Sequence, residues 1–274
     1  MSRQLRIDFP GAIHHITSRG NERRVIYRDD RDRRRFLEIL EEVVTLRRWI
    51  LHAWVLMSNH YHLLIETPEI GLSRGMKRLN ETYAMWFNTR HHRVGHLFQG
   101  RFKSILVERE SHLLELTRYI VLNPVRCHAV KYAGDWQWSN YRATAGLTKA
   151  PSWLETESTL SKFGTGDSGQ ARESYRRFVA DARGASYKPW EMLIGQIYLG
   201  GEAFCEMMQT IVSSEARSRE HPRAQLEIVR PTLDHVIELM LREFDETPQS
   251  LRRKNRRPGR KAFAQLAYRD CGLT

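Results

Sequence analysis

A chain of 274 residues with 41% hydrophobic content has room for one large domain or two small ones, with enough apolar side chains to bury a core, so a globular fold is expected. Forty-four Lys and Arg against 32 Asp and Glu leave a formal charge of +12 and a pI near 9.9. A polyanion, by default nucleic acid, is the expected partner; the alternative is a basic protein whose charge only keeps it dispersed. Cys127, Cys205 and Cys271 are too few and too far apart for a disulfide framework or a Cys-rich zinc site. No run approaches the roughly 20 apolar residues of a membrane span, and no apolar segment follows the charged N-terminus. No export or anchoring signal is therefore read, and a cytoplasmic, nucleoid-associated location with no membrane partner is expected.

Ile13 to Ser18 reads as a strand, and Asp29 to Arg48 as a helix with Phe36, Leu37, Leu40, Val43, Val44 and Leu46 on its apolar side. Trp49 to Met57 and His60 to Thr67 read as two strands joined at Ser58-Asn59, which should pair antiparallel. Leu72 to about Thr89 is a second helix, mostly core, and Lys103 to Glu108 a fourth strand. A third helix runs from Ser111 to Leu122, with Ser111 as its expected N-cap and Asn123-Pro124 as its stop. This order predicts an α+β fold: a ferredoxin-like split βαβ domain with an antiparallel sheet and one appended helix bearing Tyr119. Residues 1–130 form this domain, residues 131–170 a Trp-containing connector, and residues 171–274 a mainly helical C-terminal region, with helical pattern through Asp181, from Pro189 to Glu215 and from Pro231 to Phe244.

His60 and His62 share one face of their strand with Leu64 and Glu66, about 6–7 Å apart by the strand rise, and can converge on one divalent cation. The alternative is coincidence in a protein with 12 histidines. On the third helix His112, Tyr119 and Asn123 lie along the border of the apolar face, so Tyr119 is neither deep core nor free surface. Tyr119 could equally be a boundary aromatic with its hydroxyl in water. Asn123, one turn later, could give a metal its amide oxygen or simply end a helix before Pro124.

Three segments together resemble the single-tyrosine HUH transposases of the IS200-like kind, closest to the REP-associated tyrosine transposases: Ser58-Asn59-His60-Tyr61-His62-Leu63-Leu64, Gly100-Arg101-Phe102-Lys103-Ser104, and Arg118-Tyr119-Ile120-Val121-Leu122-Asn123-Pro124-Val125-Arg126. His14-His15-Ile16-Thr17-Ser18-Arg19-Gly20-Asn21 is similar to that family's first strand and turn. The resemblance implies a Mg²⁺ or Mn²⁺ held by His60, His62 and Asn123, with Glu66 as the fallback ligand, and Tyr119 as the nucleophile. It further implies DNA contacts at Arg19, Asn21, Arg101 and Lys103. The implied activity is cleavage and rejoining of single-stranded, hairpin-containing DNA through a 5′-phosphotyrosine, by a monomer or homodimer. Two other readings stand beside it: a non-catalytic DNA- or RNA-binding regulator on the same fold, and a metal-dependent hydrolase that uses water, with Glu66 as its base.

Residues from Leu241 onward resemble the start of a DnaA-type DNA-binding domain, whose helix-turn-helix would be expected after Thr274. Seven Lys and Arg fall between Arg252 and Lys261 with no acidic residue among them. Each phosphate contact they make adds about 0.7 to the salt slope on single strands and about 0.9 on duplex. Deleting residues 250–274 should therefore weaken DNA binding and flatten its salt dependence on a hairpin and on a scrambled strand alike. An unchanged slope in affinity titrations at several salt concentrations would mark the segment as a solvated basic end.

Overall fold

Strands β1 (Ala12–Arg19), β2 (Ile50–Leu56), β3 (His60–Thr67) and β4 (Lys103–Val107) form an antiparallel sheet in the order β2-β3-β1-β4. The computed structural model describes residues 7–164, 168–183, 193, 198–201 and 203–208, all within a unit spanning Arg6–Thr210. With α1 (Asp30–Arg47) between β1 and β2 and α2 (Leu72–Arg90) between β3 and β4, the topology is the expected ferredoxin-like one. Among the described residues no helix is long and apolar enough to cross a membrane.

The strands are buried on both faces, which explains their near-continuous apolar runs. One face packs Ile16, Leu51, Leu56, Tyr61, Leu63 and Ile65 against Phe36, Leu40, Val43, Met76, Leu79 and Tyr83 of α1 and α2. The other packs Ile13, Ala53, Val55, Leu64, Ile105 and Val107 under α3 (Arg109–Val121), through Leu113, Leu116 and Ile120. The molecule is thus three layers deep at the sheet.

α1 starts where Asp29 accepts a hydrogen bond from the Asp32 amide at 3.1 Å and ends at Arg48, which turns left-handed at φ 53°. Leu46, expected on the apolar side, is 58% exposed; it lies in the last turn, about 80° around from Phe36, and Ile39 is the buried neighbour instead. Arg90 at the end of α2 pairs with Asp29 and with the buried Asp32, clamping the two helices together. That pairing holds the Asp29 carboxyl well below its ordinary range, chiefly through the hydrogen bond from Arg90.

Three places differ from expectation. α3 starts at Arg109, so its N-cap is Glu108 and not Ser111; the chain is held there because the Glu108 amide donates to Leu199 O at 2.9 Å and its carboxylate accepts from Gly201 N at 2.9 Å. α3 ends before Asn123-Pro124 as expected, at Val121 with Leu122 as its C-cap, but a second helix not expected there, α4 (Asn123–Arg126), opens directly after it, with Pro in the first turn, where its missing N–H costs nothing. Within the stretch expected to be helical from Pro189 to Glu215, β5 (Tyr198–Leu199) adds a parallel fifth strand beside β4. Gly200 and Gly201 weaken a helix there, and the edge of β4 offers ladder partners.

The short helices α5 (Tyr141–Thr144) and α6 (Glu157–Leu160) precede α7 (Ser168–Asp181). Residues 136–155 run along the outer edge of β2: Leu56 N donates to Trp138 O at 2.8 Å, Trp54 N to Asn140 Oδ1 at 2.9 Å, and Glu155 N to Leu51 O at 2.9 Å. The helix expected from Pro231 to Phe244, the basic run from Arg252 to Lys261 and the DnaA-like segment lie outside the described residues.

Gly75 of α2 lies against Trp49, and a Cβ there would fall 2.2 Å from the indole ring. Gly75→Ala adds about 1 kcal/mol of helix propensity, yet forcing a buried indole aside costs about 1–3 kcal/mol. The steric cost outweighs the gain in propensity, so urea unfolding should show a net loss of stability; a gain would mean that Trp49 yields without strain.

Candidate active site

The β1/β3 register sets Thr17 opposite His62, Arg19 opposite His60 and His15 opposite Leu64. Because alternate residues share a face, His15, Thr17, Arg19, His60 and His62 all project toward α3. His60 and His62 have ring centroids 5.1 Å apart, as their i, i+2 spacing requires. His15 Nε2 and His62 Nδ1 share a hydrogen bond of 2.9 Å, with the two rings stacked at 5.1 Å and 11°.

α3 brings Tyr119 over this group. Its ring centre is 6.2 Å from that of His62 and 6.3 Å from that of His15, near-perpendicular to both. Sequence periodicity placed Tyr119 at the border of the apolar face, and the residue is half-buried there.

The imidazoles are held neutral. Burial is the main cause for each: it takes His15 down to about 3 and, with the nearby charge of Arg19, His60 down to about 4. His62 is pushed well below its ordinary value by burial, then by His15, His60 and Arg19. Neutral imidazole is the form that binds metal. Asn59 Oδ1 can only accept, because its Nδ2 donates to Arg23 O at 2.8 Å; His60 Nδ1 therefore donates to it at 2.7 Å, leaving a lone pair on Nε2. His62 keeps its own Nε2 lone pair when its Nδ1 donates to His15.

The remaining expected ligands are placed differently. Asn123 heads α4, and its Nδ2 donates to Tyr119 O at 3.4 Å across the break between the helices. Glu66 shares the strand face, but Oε2 accepts from His52 Nε2 at 3.0 Å and Oε1 pairs with Arg109 at the start of α3. Those two partners, His52 first, hold its carboxyl below the ordinary value. Among the described residues no three His, Cys, Asp or Glu side chains converge as a metal cage. Of the four expected DNA-contact positions, Arg19, Arg101 and Lys103 are exposed and Asn21 is half-buried. Arg19 and Lys103 lie at the same end of the sheet as His60. The segment around Arg101 is tied in by Gln99 N donating to Arg19 O and Asn21 N donating to Leu97 O, both at 2.8 Å.

Residues 9–123 match the family model described as transposase IS200 like. Through these residues the chain is similar to the IS200-like transposases. The matched span of this chain holds His15, His60, His62 and Tyr119. Two solved structures are similar to it. The REP-associated tyrosine transposase bound to a REP hairpin is 21% identical, over 55% of this chain and 89% of that one, with a TM-score of 0.47. A putative transposase from Deinococcus radiodurans R1 is 20% identical, over 44% and 95%, with a TM-score of 0.31. Comparison with curated proteins finds no match.

His15 was not among the residues singled out by sequence. Strand alternation puts it on the face of Thr17 and Arg19, but only the register brings that face to His62. In His15→Ala the buried His62 loses its 2.9 Å partner. Leaving such a group unsatisfied costs about 1–3 kcal/mol, so the unfolding midpoint should fall and His15→Gln should recover part of it. An unaltered midpoint in His15→Ala would mean that the bond contributes nothing to the fold.

Proposed function

We propose that this protein is a transposase that cleaves and rejoins single-stranded DNA, with Tyr119 as nucleophile and a 5′-phosphotyrosine as intermediate. The observation that carries the reading is Tyr119 on the helix that roofs the histidine face, 6.2 Å from His62 and 6.3 Å from His15 between ring centres. A tyrosine placed there only as packing has no need of buried, mutually bonded imidazoles beside it.

In this reading the Tyr119 hydroxyl oxygen attacks the phosphorus in line with the 3′ oxygen. The new P–O bond to tyrosine replaces the P–O3′ bond, the phenol proton passes to water, and the departing oxygen takes up a proton to become a free 3′ hydroxyl. One ester is exchanged for another, so a second 3′ hydroxyl can reverse the step and join a new end without any nucleotide cofactor. Arg19, Asn21, Arg101 and Lys103 hold the strand by its phosphates at the basic end of the sheet, which fixes its position without reading its bases. A hairpin-containing strand as substrate follows from the motif resemblance to the REP-associated enzymes.

The donor set fits a hard divalent cation: His60 and His62 offer neutral nitrogens, and the Asn123 amide oxygen is one helical turn from the nucleophile. Mg²⁺ or Mn²⁺, when bound, would neutralise charge on the nonbridging phosphate oxygens. Glu66 is the weaker third ligand, because using it would break its contacts with His52 and Arg109.

Tyr119→Phe should bind single-stranded DNA about as well as wild type and form no covalent adduct on a denaturing gel. His60→Ala and His62→Ala should each lose metal affinity and cleave correspondingly little, since removing one ligand opens the site. Wild-type adduct formation by Tyr119→Phe would remove the nucleophile assignment. Wild-type cleavage in excess chelator would remove the cation.

A further inference from the structure

The guanidinium of Arg126 lies over the face of the Tyr119 ring, 4.5 Å from its centre. In an unbroken helix, residues seven apart are separated by about 10 Å along the axis. Here the helical path breaks at Leu122, where α3 ends and α4 begins, with the Asn123 side chain spanning the break to Tyr119 O. Pro124 explains the break, since its ring lets a helix start but not continue through it.

Tyr119 is half-buried, and the backbone of an α-helix by itself allows a tyrosine two staggered χ1 positions. Two imidazoles approach it in near-perpendicular contacts, and a cation over an aromatic face adds an attraction that depends on ring orientation. We propose that Arg126 is a positioning residue for Tyr119: stacked on the ring, it selects the rotamer that directs the hydroxyl to the histidine pair. The inference rests on Tyr119 being the nucleophile and adds a residue beyond the end of the matched family span at 123. Arg126 acts through the tyrosine and needs no contact of its own with DNA. Its planar guanidinium suits this role better than an ammonium, which cannot stack.

The test compares the full-length chain with Arg126→Met, which keeps an apolar stem without charge, and with Arg126→Lys, which keeps charge without the planar stack. A misplaced nucleophile costs on the order of 10²-fold per ångström. At saturating single-stranded DNA, Arg126→Met should form adduct roughly 10- to 100-fold more slowly, with affinity for the strand and melting temperature near wild type. Arg126→Lys should recover part of the rate. In fluorine NMR of chain labelled with 3-fluorotyrosine, the signal missing from Tyr119→Phe should move in Arg126→Met and return part of the way in Arg126→Lys. If Arg126→Met does not fold, Arg126→Gln takes its place in each measurement. The proposal is overturned by a wild-type adduct rate at saturation in the uncharged variant, by an unmoved Tyr119 signal, or by a defect that lies only in DNA affinity. Tyr119→Phe separates the two readings: if it forms adduct as wild type does, the nucleophile assignment fails, whereas normal adduct formation by Arg126→Met alone overturns only the role of Arg126.

Discussion

The antiparallel register between β1 and β3 is the constraint from which the rest of the site follows. A slip of one residue would send His62 and Thr17 to the side of α1 and α2, and Leu63 and Ile16 to the side of Tyr119. Both faces are buried, so such a slip would misplace apolar groups against two helical layers at once. The register is therefore held by the core and not by the histidines. Ile16, Tyr61, Leu63 and Ile65 fill one face, Ile13 and Leu64 the other, and the imidazoles occupy the remaining positions toward one end. The Tyr61 hydroxyl, deep in the first face, donates to Asn80 Oδ1 at 2.6 Å, which satisfies the polar atom that this packing takes out of water.

Such a site also needs its roof fixed at both ends. At the start of α3, Arg109 is held by Glu66, and Glu66 by His52, whose other ring nitrogen meets Ser158 Oγ at 3.1 Å. His52 can reach both because the β2/β3 pairing shifts register between Leu51 and Ala53. Near its other end Arg118 stacks on Phe178 of α7 at 4.0 Å from the ring centre, and Val121 and Leu122 join the cluster formed with Tyr141, Tyr175 and Val179. Tyr119 sits between these anchors. Its position thus depends on residues as distant in sequence as His52 and Phe178.

Sequence pattern located the four main strands and two long helices to within a residue or two, because each carries an apolar period over seven or more residues or, for β4, lies between clear breaks. His60, His62 and Tyr119 were legible for a different reason: their types are uncommon on an apolar face or border, and together they match a known motif. What remained hidden depends on contacts between distant segments. His15 looked like any histidine of β1 until pairing brought it to His62. Glu66 looked free to ligate until the shifted register brought His52 to it. Ser111 had the chemistry of a cap, yet the chain is held at Glu108 by β5, two residues of strand inside a helical pattern. Short edge strands carry too few residues to show a period, and their partner supplies the reason they form.

The charge distribution divides attraction from chemistry. The formal +12 draws a polyanion from a distance, and Arg19, Arg101 and Lys103 present part of that charge on the surface at the end of the sheet near His60. Cationic imidazoles beside them would also attract phosphate, but they would have no nitrogen lone pair to offer. Burial resolves the conflict, because it suppresses the charged form of His15, His60 and His62 far more than it weakens their capacity to donate a lone pair. The charge of Arg19 also opposes protonation of His60 directly across the ladder. A basic rim around neutral imidazoles is therefore one electrostatic arrangement, and it requires His15 and His62 to lie inward of Arg19, as the β1/β3 register places them.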